Sequence, residues 1–411
     1  MALSSDYYHQ KASAPDVIQW MTKAAFALVV AYVTFLAISS HVGAWLVDPH
    51  GEVRQNDFVA FWAAGRMALE GQAASAYDWS AHKVVEELAV GHSFDKYFGW
   101  FYPPTFLPVV VLLASLPYLI AFFTWIAFTL SAYVFVVRSI IGHRAGILLA
   151  CAFPAVLWNV SVGQNGFLTA ALLGGTMLTM EKRPVLAGIL LGLLTYKPQL
   201  GVLFPLLLVA GGHWRVFAVA TVTTLLLIAG SWGLFGTSTW LAFFDQLGTS
   251  NEIVLNEGMA GFHKLQTVFG LTRWCGGSEA LAWGLHLLAA AAAGISVVVL
   301  WMNRRVAYDL KAAAAGTAAL VVTPYLHLYD LIVLAIPLAF LIRHGLRTQF
   351  LPYDVPAIAV ISACVFAVPV TGIPLGALAI VIVGAMICRH IAASTETSLP
   401  RLFSPAVAAR H

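Results

Sequence analysis

The chain has 411 residues, of which 60% are hydrophobic and only 10% are charged. Soluble proteins carry about 25% charged residues, so this composition excludes a water-soluble protein and predicts one whose main solvent is lipid. The net charge of +3 at pH 7 is too small to indicate a nucleic-acid partner.

Twelve apolar runs predict about twelve membrane-spanning helices, because roughly 20 residues cross a bilayer. In chain order they are 24–46, 118–138, 145–160, 164–180, 184–196, 199–211, 216–236, 280–301, 312–325, 327–344, 352–368 and 372–388. The shorter runs would be tilted or extended by polar turns buried in protein. A further run at 105–116 is too short to span, so we place it in or against the outer leaflet. The segment before the first run lacks the features of a cleaved signal peptide, so that run is expected to be retained.

The basic residues orient these spans. Most of the 22 Lys and Arg residues, including Lys182/Arg183 and Arg304/Arg305, then fall on one face, which the positive-inside rule assigns to the cytoplasm. Both termini are expected to be cytoplasmic in a single membrane domain, with two long segments outside, 47–104 and 237–279. The outer turns carry specific polar groups, so a site is expected on the outer face of the cytoplasmic membrane.

Asp57 precedes a predicted helix in the first long outer segment. Phe58, Phe61, Gly65 and Leu69 recur at the spacing of a helix, and Arg66 lies beside this stripe, which predicts an amphipathic helix along the membrane surface. Two interpretations of Asp57 remain open. Either Asn56 or Asp57 only caps the helix, or Asp57 is a carboxylate held ionised by the helix dipole at the lipid–water boundary and acts as a general base.

Lys197 stands at the outer end of a span, before a proline that ends the helix. It either extends its amine to the membrane interface or, with Gln199 nearby, binds a phosphate such as that of a lipid headgroup. Gln164 and Asn165 occupy another outer turn. They either terminate a helix or supply amide groups on the same face.

His327 and Asp330 are three residues apart and would share a helix face. They form a His–carboxylate pair that sets the imidazole tautomer, supply two metal ligands, or only cap a helix. No third ligand lies nearby in sequence, so we favour the pair over a metal site. In the second long outer segment, Glu257, His263 and Lys264 are the titratable candidates.

Several short stretches occur in a recognisable order. They are Asn56-Asp57-Phe58, 61–66, Ala76-Tyr77-Asp78, Tyr102-Pro103-Pro104, Gly163-Gln164-Asn165, 189–192 leading to Lys197-Pro198-Gln199, and 324–330. Together they resemble glycosyltransferase family 87, whose members include polyprenyl-phosphate-mannose-dependent α-mannosyltransferases. The resemblance covers roughly residues 50–345.

The resemblance implies a GT-C fold, an all-α multi-span membrane enzyme with a catalytic acidic residue in its first outer loop, here matching Asp57. It implies inverting transfer of a hexose, mannose first, or a pentose from a polyprenyl-phosphate donor to a glycolipid or glycan hydroxyl. The catalytic candidates are Asp57 and His327, either of which is the base. The substrate-binding candidates are Arg66, Tyr102, Gln164, Asn165, Lys197, Gln199, Glu257, His263, Lys264 and Asp330. No cofactor is expected, and a divalent metal is neither indicated nor excluded.

Two other classes of protein fit the composition. Twelve spans with both termini inside is a common plan of secondary transporters, but those usually carry ionisable residues near the bilayer midplane, often within internal repeats. We find no repeat here. The other alternative is a lipid-linked-sugar flippase or a non-catalytic assembly partner, which would tolerate the loss of Asp57.

Overall fold

The computed structural model describes residues 14–251, 255, 258 and 261–398. Within these residues the chain forms α-helices and short 3₁₀ turns, with isolated β-bridges and no β-strand. The predicted all-α membrane fold is therefore confirmed.

Most of the helices share one core, and a smaller cluster contains Leu265, Phe269 and Ala282. The helices are α1 Ala14–His41, α2 Phe58–Leu69, α3 Trp79–Val90, α4 Leu107–Ala114, α5 Tyr118–Ile141, α6 Gly146–Ala152, α7 Ala155–Val162, α8 Gly166–Thr179, α9 Pro184–Leu193, α10 Pro198–Gly201, α11 Phe204–Gly211, α12 Trp214–Asn251, α13 Val268–Trp274, α14 Glu279–Met302, α15 Tyr308–Val322, α16 Ala335–Arg347, α17 Asp354–Thr371 and α18 Leu375–Ser398. The 3₁₀ turns are Ala73–Tyr77, Pro104–Phe106, Leu194–Tyr196, Phe262–Lys264 and Leu328–Leu334.

Seven segments of the described chain are long and apolar enough to cross a membrane. They are Pro15–His41, Tyr118–Ile141, Trp214–Gly248, Glu279–Met302, Leu328–Arg347, Asp354–Thr371 and Leu375–Ser394. The other five predicted spans form shorter or broken helices, so the structure contains seven helices of full crossing length and not twelve. Proline explains two of the breaks: Pro154 separates α6 from α7, and Pro198 begins a new helix after Lys197.

Helix α2 forms where the sequence predicted it, but it is packed inside the protein. Phe58, Val59 and Phe61 are buried, and Trp62 Nε1 donates a hydrogen bond to a backbone oxygen beyond α4 at 2.9 Å. A Cβ atom on Gly65 would lie 2.1 Å from a carbonyl oxygen of α4, so only glycine permits this approach. Helix α2 packs against protein over most of its circumference, so its apolar stripe contributes to the core. Its position along the membrane surface stays a prediction.

Three contacts bring distant segments to the N-terminus of α2. Gly163, which ends α7 with φ of 72°, lies so close to α2 that a Cβ atom there would be 2.7 Å from the Cβ of Phe58. Asn159 holds the 3₁₀ turn Leu328–Leu334 against α7, because its Nδ2 donates to the backbone oxygen of Tyr329 at 2.8 Å. The backbone N–H of Gln266 donates to the oxygen of Leu326 at 2.7 Å. The first long outer segment thus meets the α7–α8 turn at Phe58, and the second meets Leu326, next to the 3₁₀ turn that packs against α7.

Helix α12 continues past residue 236, where the sequence predicted the end of a membrane crossing. It kinks at Gly236 (φ 79°, ψ 172°), which closes the apolar run 216–236, and then continues as a helix to Asn251. The second long outer segment therefore begins as a helix. Glu257, a candidate in this segment, lies outside the described residues.

Candidate active site

Asp57 precedes α2 without capping it through its side chain. The turn is closed by Asn56, whose Oδ1 accepts hydrogen bonds from the backbone of Phe58 at 3.0 Å and from the hydroxyl of Tyr118 at 3.1 Å. Asp57 Oδ2 instead accepts a hydrogen bond from Nε2 of Gln164 at 3.2 Å. Of the two capping candidates, Asn56 caps the helix and Asp57 does not; the carboxylate of Asp57 faces the α7–α8 turn.

The surroundings of Asp57 combine burial with positive charge. Burial raises the pKa of this carboxyl above its usual value, while the hydrogen bond from Gln164 and the charges of Lys96 and Lys264 act in the opposite direction. Burial and the neighbouring Lys96 lower the pKa of Lys264, and Asp57 raises it. A carboxylate with a raised pKa is a better proton acceptor than an exposed one, so Asp57 has the properties of a general base.

Gln164 and Asn165 do more than end a helix. Gln164 is buried, and its Oε1 accepts hydrogen bonds from the Tyr102 hydroxyl at 3.4 Å and from the backbone of Asn165 at 3.3 Å. The side chain of Asn165 is fully buried and makes no hydrogen bond of good geometry within the described chain. An unpaired buried amide costs about 1–3 kcal/mol. Such a group, next to the partner of Asp57, is suited to bind a substrate hydroxyl.

Lys197 is buried and paired. Only 4% of its surface is exposed, and its Nζ contacts Oδ1 of Asp330, which is equally buried. The ring centroid of Tyr329 lies 5.1 Å from the same Nζ. Lys197 therefore does not extend to the membrane interface. The sequence suggested this lysine as a phosphate-binding cation, but in the structure its partner is the carboxylate of Asp330.

His327 contacts Asp330 through its backbone. Its N–H donates to Oδ2 of Asp330 at 3.2 Å, in the manner of a helix cap, while its ring stacks on that of Tyr329 with the centroids 5.4 Å apart. The expected pair between the imidazole and the carboxylate is therefore wrong. Burial lowers the pKa of His327 to about 4, with Asp330 opposing this change and Lys197 and Lys264 reinforcing it. The ring is neutral at pH 7.

Three other predicted residues form no hydrogen bond or ion pair with Asp57, Lys197 or Asp330 within the described chain. Arg66 is exposed and bonds to Glu70 at 2.7 Å, and it lies nine residues along α2 from Asp57, about 14 Å of helix. The ring of His263 lies against Gly261, where a Cβ atom would be 2.5 Å from Cε1. Gln199 is half-buried in α10, and its side chain takes part in none of the hydrogen bonds of the described chain.

Two residues of the cluster escaped the sequence analysis. Tyr196 stacks on Phe106 with 4.6 Å between ring centroids, and its hydroxyl lies 2.5 Å from that of Thr169. Lys96 acts on Asp57 through its charge. Cations are scarce in the predicted outer segments, and this scarcity was the one sequence signal for Lys96. No sequence feature indicated that Tyr196 contributes to the site. Among the described residues, no group of three His, Cys, Asp or Glu side chains is arranged to hold a metal ion.

Comparison with known proteins identifies the family. The model of glycosyltransferase family 87 matches residues 100–324, more than half of the chain. The match includes Tyr102, Gln164, Asn165 and Lys197, whereas Asp57 lies before it. Searches of curated proteins and of solved structures give no significant match. The chain therefore belongs to glycosyltransferase family 87 and is a membrane glycosyltransferase.

Proposed function

We propose that this protein transfers a hexose, with mannose the first candidate, from a polyprenyl-phosphate donor to a hydroxyl group of a glycolipid or glycan. The observation that supports this proposal best is the position of Asp57. Its carboxylate accepts a hydrogen bond from the buried amide of Gln164 and is acted on by the charges of Lys96 and Lys264. Asp57 and Asp330, the partner of Lys197, both act on the phenols of Tyr102 and Tyr329. A proton acceptor beside groups that attract phosphate fits transfer of a sugar from a lipid phosphate.

The proposed reaction is a single displacement at the anomeric carbon. The acceptor oxygen forms a bond to this carbon from the face opposite the phosphate, while the bond between the carbon and the phosphate oxygen breaks. Asp57 takes the proton of the acceptor hydroxyl, and polyprenyl phosphate leaves with the bonding electrons. This route inverts the anomeric configuration and needs no nucleotide. His327 is the second candidate for the base, since its neutral ring also accepts a proton.

Lysine charges would stabilise the departing phosphate. Lys264 is exposed and forms no ion pair within the described chain, so it is the cation best placed to meet the donor first. Lys197 is already neutralised by Asp330, so the phosphate would have to share this cation with the resident carboxylate. Gln164 and Asn165 would then bind hydroxyl groups of the sugar or the acceptor.

We further propose that this site faces outward from the cytoplasmic membrane, with both termini cytoplasmic. Gln164 and Asn165 precede α8, whereas Lys182 and Arg183 follow it. The site and this basic cluster therefore lie at opposite ends of the helix, and the positive-inside rule places the basic end in the cytoplasm. Membership of a glycosyltransferase family favours this function over the transporter and flippase alternatives.

The test is sugar transfer in reconstituted membranes from radiolabelled polyprenyl-phosphate sugars, with GDP-mannose as the nucleotide-sugar comparison. Asp57→Asn should lower the rate by about 10²–10⁴-fold, the usual contribution of a general base. The matched control is Asp95→Asn, which removes an exposed carboxylate from the same outer segment and should retain full activity. Equal rates for wild type and Asp57→Asn would exclude Asp57 as the base and leave His327. Direct use of GDP-mannose would exclude the lipid donor.

A further inference from the structure

A second site of positive charge lies at the far end of α8 from Asp57. The chain leaves α8 at Thr179, about 20 Å of helix from Gly166, and turns into α9. There a shallow depression of about 450 Å³ is lined by Lys182, Arg183 and Arg215. A second depression of about 420 Å³ adjoins it and shares Arg215.

The three cations of this depression have no acidic partner among the residues that the structure describes. None of Lys182, Arg183 and Arg215 forms an ion pair within the part of the chain that the structure describes. The nearest carboxylate in the sequence, that of Glu181, lines the adjoining depression and acts on His213 and Lys311. Three like charges around one depression repel one another, so an anion placed among them is favoured.

The walls of the depression are apolar and open. Val185, Leu186 and Ile189 of α9 line it, and each has more than a third of its surface exposed. Trp214, at the start of α12, is 60% exposed beside the second depression. Exposed aliphatic side chains on a membrane helix face acyl chains, and tryptophan is enriched at the boundary between lipid and water. An anion bound here is therefore in contact with lipid on one side.

We propose that this depression binds the phosphate headgroup of an anionic phospholipid, with an acyl chain along the apolar face of α9. Lys182, Arg183 and Arg215 contact the phosphate, and Val185 and Ile189 contact the chain. Basic pockets between membrane helices at the cytoplasmic end are a recurring form of anionic-lipid site. This lipid is distinct from the proposed sugar donor, because the depression and Asp57 lie at opposite ends of α8.

The test is the thermal unfolding of the full-length protein in detergent, titrated with phosphatidylglycerol, phosphatidylcholine or inorganic phosphate. Phosphatidylglycerol should raise the unfolding midpoint, and the other two should not. The variant Lys182→Gln/Arg183→Gln/Arg215→Gln should bind phosphatidylglycerol about 100-fold more weakly, since each cation near an anionic headgroup contributes roughly a factor of five. The charge-retaining variant Lys182→Arg/Arg183→Lys/Arg215→Lys should bind it as wild type does.

A matched control removes three exposed cations outside the depression, in the variant Arg144→Gln/Arg304→Gln/Arg305→Gln. This control should retain the full response to phosphatidylglycerol. Equal stabilisation by inorganic phosphate would show a small-anion site and overturn the lipid assignment. The proposal is also wrong if wild type does not respond, or if both glutamine variants respond equally. Since the readout is stability, the result does not depend on sugar transfer.

Discussion

The buried pair of Lys197 and Asp330 offers the sharpest test of how the site is built. Each side chain has about 5% or less of its surface exposed. Replacing Asp330 by Asn keeps an oxygen that can accept the hydrogen bond from the backbone of His327, so the substitution isolates the charge. It leaves the ammonium of Lys197 buried without a counter-charge. We expect a loss of about 3–5 kcal/mol in the free energy of unfolding.

The reverse change, Lys197→Met, leaves the carboxylate unpaired and should cost a similar amount. The double variant Lys197→Met/Asp330→Asn removes both charges, so it should be more stable than either single variant. The assay is unfolding of the purified protein in mixed detergent, followed for wild type, both single variants and the double variant. Losses that simply add, giving about 6–10 kcal/mol for the double variant, would refute the buried pair.

Sugar transfer by the same proteins separates a structural pair from a functional one. If Lys197 stabilises the leaving phosphate, the double variant should be folded but at least about 10²-fold slower than wild type. A double variant that is both stable and fully active would show that the pair only holds α10 to the 3₁₀ turn Leu328–Leu334. The donor phosphate would then be bound by Lys264.

Three further predictions follow from single contacts. Gln164→Leu removes the hydrogen bond that lowers the pKa of Asp57, so the carboxylate should protonate at a higher pH. The acid limb of the pH profile of kcat/KM should then move to higher pH. An unchanged acid limb would contradict Asp57 as the base. Gly65→Ala should destabilise the protein by about 1–3 kcal/mol or more, because its Cβ would lie 2.1 Å from a backbone oxygen of α4. Gly230→Ala, which meets nothing within 4 Å, is the control in the same thermal unfolding measurement. Arg66→Ala should change the free energy of unfolding by less than about 1 kcal/mol, because the ion pair of Arg66 with Glu70 is exposed. It should leave sugar transfer unaltered, because Arg66 is remote from Asp57. A large loss of activity would show that Arg66 belongs to the active site.

The membrane class of this protein follows from composition and periodicity alone. A chain with 10% charged residues has too few charges for a water-facing surface. Each apolar run marked a helix, and the chain breaks before Pro198 where the sequence suggested, whereas α12 only kinks at Gly236 and continues to Asn251. The number of full crossings did not follow, because run length cannot tell a span from a shorter helix packed inside the protein. Helix α2 shows the same ambiguity, since its apolar stripe meets protein and not lipid.

The identity of the important polar groups was also visible in the sequence, because ionisable and amide residues at the ends of apolar runs are rare and conspicuous. Asp57, Gln164, Asn165, Lys197 and Asp330 were all singled out before their positions were known. Their partners were not. The residues that meet at Asp57 are distant in the chain: Gln164 lies 107 positions away and Lys264 farther still, so their approach depends on how the helices pack.

Helix packing therefore sets the pairing of Asp57 with Gln164 and of Lys197 with Asp330, and it leaves Arg66 exposed and paired with Glu70. Sequence spacing predicts neighbours on one helix, where geometry is fixed by 3.6 residues per turn. That rule suggested the pair of His327 and Asp330, and it failed because the chain turns there instead of continuing as an α-helix. Composition and periodicity are enough to define a lipid-embedded helical protein and its reactive groups, and the packing of its helices determines which of those groups act together.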